Sequence, residues 1–536
     1  MARRIKGRWV IEGVLVARDP LHIGGMGEEA GLDLARDGAG EYYVPGTSLA
    51  GAFRSWLEER LGEREVNRCW GYQPAKGSKR DGEASWIFVE DAGLESGTLP
   101  EFRDGVGIDR EWGAAADKVK YDFAVLPRGT RLTVQIVVEI PPSQEREEIL
   151  RTQLALLIQE LEEERVYLGA QKTRGLGRVK MKSARILHQD FSTQQGIVSV
   201  LRSGGTPLSW EDFCDTGSRS VEDGDELVAE VELEPEGPLM VRAAGEGSAV
   251  DSLPLVGGRE DGKEGFVIPG ASIKGVLRFQ AERIVRTVLN RDLPKKDHST
   301  RRFLEQVKVP LVEYLFGSAK PAEGWEKSKG NEETAGGPLP GLGALAADDV
   351  WSRNSWPMGM WSKVAASTQE DQLIGALKDL GLSGVQQAFH VAVDRWTGGA
   401  ADGFLFSEME LHGAQWETIR LRVRWRRIPV PLRMPAAALF LLLLQDFASG
   451  KITVGHGANR GMGDVKVSRV RLKGKVIPTP PDEMVPSAKE AASATEGVLK
   501  EPTSLEFTTI ADLPGNAADG LRQAWRVWVR GEVAGE

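Results

Sequence analysis

Residues 43–57, YVPGTSLAGAFRSWL, decide the fold because the chain repeats them at residues 266–280 as FVIPGASIKGVLRFQ. Both stretches keep one order of residue types: apolar, Pro, Gly, small, Ser, apolar, any, Gly, and an Arg three positions on. The Pro-Gly pair ends an extended approach and turns the chain, and Ser48 or Ser272 is placed to cap the helix that follows. Leu49, Phe53 and Leu57, like Ile273, Leu277 and Ala281, recur every four residues and so share one helical face. Each stretch therefore predicts a strand, a turn and a helix. Gly51 and Gly275 fall inside those helices, where glycine is costly, so close approach of another backbone is expected there.

A repeat of this kind predicts further echoes in the same order. Residues 86–92, WIFVEDA, loosely resemble residues 345–350, LAADDV. Residues 107–120, GIDREWGAAADKVK, share an apolar-Asp-Arg start and an Ala-Ala-Asp end with residues 391–405, VAVDRWTGGAADGFL. Residues 172–180, KTRGLGRVK, share Arg-Gly-apolar-Gly with residues 458–466, ANRGMGDVK. These echoes imply two copies of one domain.

Composition narrows the function classes. With 41% apolar and 27% charged residues the 536-residue chain reads as globular, with room for two to four domains. Cys69 and Cys214 lie far apart with no C-x-x-C partner, which argues against a zinc site or disulfide framework and fits a reducing cytoplasm. The N-terminal MARRIKGRWVIEG has no apolar core of a secretory signal, and the longest apolar run, residues 436–444, is too short to span a bilayer. A net charge of −10 excludes a uniformly basic nucleic-acid binder, but charge is unevenly placed. Lys172, Arg174, Arg178 and Lys180 crowd the first glycine loop, and five arginines decorate IRLRVRWRRIPV, residues 419–430. That second run reads either as a solvated sheet face or as an RNA contact.

In chain order, residues 8–18 read as a strand ending at Asp19-Pro20, and residues 21–40 as a long glycine-rich loop holding Asp33 and Asp37. A strand at 83–90, a strand at 132–140, a helix at about 145–167 and a strand at 178–187 complete the first copy. Residues 189–225 are polar and weakly periodic and read as the connection. The second copy opens with a strand at 226–233 and a loop at 234–265 holding Asp251 and Asp261. A loop at 320–343, a strand within 415–430, a buried helix at 435–447 and a glycine loop with its strand at 451–470 follow. Beyond 475 come a proline-rich linker and a tail helix at 516–529. The proposed division is 1–188, 189–225, 226–474 and 475–536.

Strand, loop, helix and later strands, twice over, suit an α+β fold of two tandem ferredoxin-like units. VPGTSLAGAFR with IPGASIKGVLR, and TRGLGRV with NRGMGDV, resemble the RAMP superfamily, in particular the backbone subunits of type III CRISPR effector complexes. The resemblance covers residues 8–188 and 226–472. It implies modified RNA-recognition-motif domains that hold guide RNA, each with an inserted thumb β-hairpin that interrupts the guide:target duplex. The thumbs would carry Asp109, Arg110 and Trp112, and Asp394, Arg395 and Trp396. An acid in the loop before the Pro-Gly helix would support target-RNA cleavage with Mg2+ or another divalent metal. That role falls on Asp33 and Asp251, with Asp37 and Asp261 as rivals because the spacing to Pro45 and Pro269 differs.

The implied partners are guide RNA, target RNA and other CRISPR effector subunits, with no membrane. The residues expected to contact RNA are Ser48, Arg54, Lys172, Arg174, Gly175 and Gly177, with Ser272, Lys274, Arg278, Arg460, Gly461 and Gly463. Physical chemistry supports this use: scission by a 2′-hydroxyl needs proton removal and stabilisation of added charge, glycine-loop amides can face phosphates, and Trp112 and Trp396 can stack on bases. Asp464 stands where the first copy has Arg178, which predicts weaker phosphate binding in the second. Two other uses stay open: a scaffold that holds guide RNA without cutting, and a guide-processing nuclease with His22 as base, against which a structural His22 is favoured.

Overall fold

The computed structural model describes residues 3–24, 33–74, 81–214, 225–245, 247–294, 300–318, 341–475, 505–507 and 515–534. In the first module Gly7–Ala17 is the central strand, antiparallel to Arg131–Ile140 on one side and Val179–Asp190 on the other. Ile87–Val89 and Ala92–Leu94 pair beyond Arg131–Ile140. In the second module Glu226–Pro235 lies between Ile419–Arg424 and Val465–Gly474, with Leu345–Ala347 beyond Ile419–Arg424. Numbered along the chain, the four principal strands of each module lie in the order 2-3-1-4, and each central strand carries one register shift against its last partner.

Local patterning explains these elements. Glu226–Pro235 alternates, burying Leu227, Ala229, Val231 and Leu233 while glutamates line the other face, which is the period of a sheet with one face in the core. Gly46–Leu61 buries Leu49, Phe53, Trp56 and Leu57, and Gly270–Leu289 buries Ile273, Leu277, Ala281, Val285 and Leu289. At roughly 1.5–3 kcal/mol per buried large side chain, this stripe outweighs the glycine inside each helix. The two modules keep separate cores.

Neither Ser48 nor Ser272 caps its helix, contrary to the sequence reading. The helices begin one residue after Pro45 and Pro269, and the N–H of Gly46 donates to Asp91 Oδ1 at 2.7 Å and that of Gly270 to Asp349 Oδ1 at 2.8 Å. A remote carboxylate thus replaces the local hydroxyl, as favoured at a helix N-terminus. Glycine is required at both starts because a Cβ would lie 2.1 Å from the carbonyl oxygen of Val89 or of Ala347.

The segment read as a connection is largely part of the first module. Gln194–Ser203 is a helix capped by Thr193 and ended by left-handed Gly204, Thr206–Leu208 pairs with Val179–Asp190, and Trp210–Cys214 sets Phe213 against Trp9 at 5.3 Å between rings. Short elements of this kind leave little periodicity to read. The loop expected at 320–343 lies mostly outside the described residues.

Val430–Ala448 is long and apolar enough to cross a membrane by length and composition, yet ten of its residues are buried, nine of them in the second core. The tail helix, Gly515–Ala534, packs against it and against Gly270–Leu289, with Leu521 and Trp528 in the same core.

Of the five arginines in this run only Arg426 is exposed, so the run is neither a wholly solvated face nor a wholly open RNA contact. Arg422 is buried, pairs with Asp348 at 2.9 Å and lies 4.1 Å over the Tyr167 ring, while Arg424 and Arg427 bind Glu59 of the first module at 2.8 and 2.7 Å. Burial pushes Glu59 up, but Arg424 and Arg427 overcome it and hold the carboxyl below the usual range. These arginines join the modules.

Candidate functional site

Two hairpins project from the sheets. Glu101–Ile108 pairs with Ala115–Val125, and Val385–Val393 with Ala400–Leu411. Their tips are the same turn. Asp109 N–H donates to Ala114 O and Gly113 N–H to Asp109 O, while Asp394 N–H donates to Gly399 O and Gly398 N–H to Asp394 O. Asp109 Oδ1 also accepts from Glu111 and Trp112 N–H, and Asp394 Oδ1 from Trp396 N–H. The two aspartates shape the turns, and the Trp396 N–H holds the Asp394 carboxyl below its ordinary value.

The tips differ in surroundings. The first lies on the second module: Arg110 pairs with Glu282 of Gly270–Leu289 at 2.5 Å, and Gln306 donates to Asp109. Trp112 is exposed. The second tip is solvent-facing, with Trp396 at 96% exposure and Phe389, Phe404 and Leu405 also exposed. Arg395 is exposed beside it.

The first glycine loop is built into the junction between modules. Gly175, at φ +95°, sits against Gly270 N–H and Asp349, so that a Cβ there would overlap the Asp349 carboxylate. Asp349 also receives Arg103 from the first hairpin, and both side chains are buried. Gly177, at φ +101°, passes over the Leu168 carbonyl. In the second module Gly463 approaches the Val454 carbonyl in the same way, but Gly461 is exposed with open space around it. Among the described residues the equivalent surface is covered in one copy and free in the other.

The expected RNA-contacting cations divide accordingly. Arg54 binds Glu58 and Asn67, and Arg278 binds Glu282 and the carbonyls of Gly317 and Val307, so both brace their helices. Lys274 is buried and donates to Thr173 Oγ1 at 3.0 Å. Burial, then Arg174, Arg278 and Arg427, push its ammonium well below the ordinary range. It serves the junction instead of an open phosphate site. Lys172 is half-buried, and burial lowers it too. Arg174 is exposed, 3.4 Å from the Tyr121 hydroxyl. Arg460 is exposed but binds Glu408 and His456. Ser48 is exposed and Ser272 half-buried. Arg178 pairs in two places with buried Asp19, so its replacement by Asp464 removes an internal ion pair and says nothing about phosphate.

Gly51 and Gly275 have nothing within 4 Å of an added Cβ, so no backbone among the described residues makes the close approach expected there. Both helix starts expose a small-residue surface. His22 is buried, its Nδ1 is 2.7 Å from Ala124 O and its ring meets Phe123, in keeping with a structural residue.

The acids stand in different settings. Asp251 is exposed at the foot of the second hairpin, where its Oδ2 accepts from Ser407 N–H at 2.7 Å and Ser407 Oγ at 3.0 Å. The Ser407 N–H and then its hydroxyl hold the Asp251 carboxyl below the usual carboxylate range. Asp33 is exposed, accepts from Leu34 N–H at 2.7 Å, and is fixed by buried Leu34 and the Gly24–Leu34 bridge. Residues 25–32 before it lie outside the described residues. The rivals are turn formers: Asp37 accepts from Ala39 and Glu41 N–H, and Asp261 pairs with Lys263 beside a hairpin turn. Sequence reasoning missed Asp91 and Asp349, whose signal was the acidic pair in WIFVEDA and LAADDV. It also missed Glu408, which carried no motif.

A family model described as the RAMP superfamily matches residues 14–180 and 232–466. Among curated proteins the chain is similar to one named CRISPR system Cms endoribonuclease Csm3, from Methanocaldococcus jannaschii. The two are 25% identical over 210 residues, a match covering 34% of this chain and 82% of that protein.

Proposed function

Since the chain belongs to the RAMP superfamily as two tandem modules, we propose that it is a subunit of an RNA-guided type III CRISPR effector that holds guide RNA and cleaves complementary target RNA at two positions. The 2-3-1-4 antiparallel order supports reading each module as ferredoxin-like, of modified RNA-recognition-motif type, with the hairpins as thumbs. The observation that carries the catalytic half is the exposed Asp251 carboxylate, kept ionised by Ser407 at the foot of a thumb. Asp33 takes the corresponding part in the first module. Their exposed carboxylates fit a hard cation such as Mg2+, which binds through one or two carboxylates and completes its shell with water and substrate oxygens. Bound there, it would stabilise negative charge gathering on the phosphate. Asp33 and Asp251 would hold it, and Trp112 and Trp396 would keep neighbouring bases splayed.

The guide strand would run over the helix starts, where the open space at Gly51 and Gly275 admits a sugar-phosphate backbone, and past Arg174 and the second glycine loop. Partner subunits are supported by asymmetry. The contact between modules joins unlike surfaces, and contacts of that kind leave one end open. Here no described residue covers the second tip or Gly461. A cytoplasmic setting suits the two free thiols, Cys69 being buried and pushed up to about 12 by that burial. A scaffold without cleavage is favoured by one feature: the bond to Ser407 gives Asp251 a structural occupation. Mapping cuts in guide-matched RNA by assembled complexes carrying Asp33→Ala or Asp251→Ala separates the two. Loss of one cut per variant supports the proposal, and retention of every cut supports the scaffold.

A further inference from the structure

Three of the six histidines, His390, His412 and His456, gather with Glu408 and Glu410 on one face of the second hairpin and the adjoining glycine loop. Glu408 is 0% exposed. Its Oε2 binds Arg460 at 2.8 Å, whereas its Oε1 and the His390 Nε2 are both shut off from solvent without a hydrogen-bond partner. Yet these two atoms lie only 2.7 Å apart. The ring nitrogen and the carboxylate oxygen are thus in ion-pair contact, yet neither makes a well-directed hydrogen bond. Buried polar atoms without a directed bond are costly, and an ion bonded to both would satisfy them.

We propose that His390 Nε2, Glu408 Oε1 and a Glu410 carboxylate oxygen form a site for a divalent transition ion of the Zn2+ class. The three donor atoms lie within 4.8 Å of one another. Ligands about 2.0–2.2 Å from one ion stand roughly 3.4 Å apart in a tetrahedron, so closure needs His390 and Glu408 to part slightly from 2.7 Å and Glu410 to swing in. An imidazole among the donors favours Zn2+, Co2+ or Ni2+ over Mg2+. Three protein ligands leave the fourth position to water, or to His412, whose Nε2 is 3.0 Å from Glu410. The ion ties Val385–Val393 to Ala400–Leu411 at the hairpin foot. Glu408 follows Ser407, which holds Asp251, so occupancy also steadies the loop that bears that acid. The site is distinct from any ion held by Asp251 itself.

The test is titration of the metal-stripped full chain with Co2+, followed by displacement with Zn2+, with Mg2+ in parallel. Expected are visible Co2+ bands saturating at one ion per chain, at least about 10-fold weaker binding in His390→Gln and Glu410→Gln, and unchanged binding in Asp261→Ala. Without metal, the variants unfold at the wild-type temperature, showing intact folding, and Zn2+ raises the midpoint of the wild type alone. Absence of Co2+ bands at millimolar ion, equal affinity in wild type and both ligand variants, or a loss in Asp261→Ala equal to that in the ligand variants overturns the assignment.

Discussion

Asp349→Ala and Asp91→Ala form a controlled pair. The two carboxylates cap equivalent helices through the same bond, to Gly270 and Gly46 N–H. Removing that cap alone costs about 0.5–2 kcal/mol. Asp91 is exposed, so its loss ends there. Asp349 is buried and is the close partner of Arg103, itself 4% exposed, and Glu101 at 3.9 Å offers only distant compensation. Leaving a buried cation without its partner costs about 3–5 kcal/mol. Urea unfolding of the full chain, followed by tryptophan fluorescence and circular dichroism, should therefore show Asp349→Ala destabilised several-fold more than Asp91→Ala. The double variant Arg103→Met with Asp349→Ala should recover most of the excess, because a buried pair replaced by apolar groups is often neutral. Equal losses for Asp91→Ala and Asp349→Ala, or a double variant no better than the single one, would refute the view that this ion pair bonds the modules.

Lys274→Met should stabilise the chain at pH 7. The unfolded amine keeps its proton to about pH 10.5, while the buried one releases it lower, so wild-type stability rises with pH between the depressed folded value and 10.5. Each unit of that depression is about 1.4 kcal/mol, and the advantage of the variant in urea midpoint should shrink by pH 10. Trp396→Ala should shift stability by less than about 0.5 kcal/mol, since the side chain touches little. It should weaken single-stranded RNA binding by about 1–3 kcal/mol in a filter assay, the range for loss of one stacking partner.

Much of the fold was legible because duplication turned weak signals into agreement. Tyr43–Val44 and the helix after Pro45 are unremarkable alone, but the same order at Pro269 fixed strand, turn and helix twice. The hairpin tips were legible for the same reason, as Asp109 and Asp394 make one turn. What escaped were partners set by tertiary placement. Ser48 and Ser272 satisfied a local capping rule, yet Asp91 and Asp349 reach across from a strand end to take the bond. Arg422 and Lys274 carried charge expected on a surface, and contact between modules buried both. Arg178 lost its place as a phosphate ligand to Asp19, far away in sequence. A single strand of text gives no sign of which charged groups a neighbouring module will cover.

The most direct test of the central claim is product mapping with assembled complex, guide-matched RNA and Mg2+, comparing wild type with Asp33→Ala, Asp251→Ala and the double variant. Two tandem catalytic modules predict that each single variant loses a different cut while retaining the other, and that the double variant loses both with guide RNA still bound. Every cut persisting in the double variant would contradict the account.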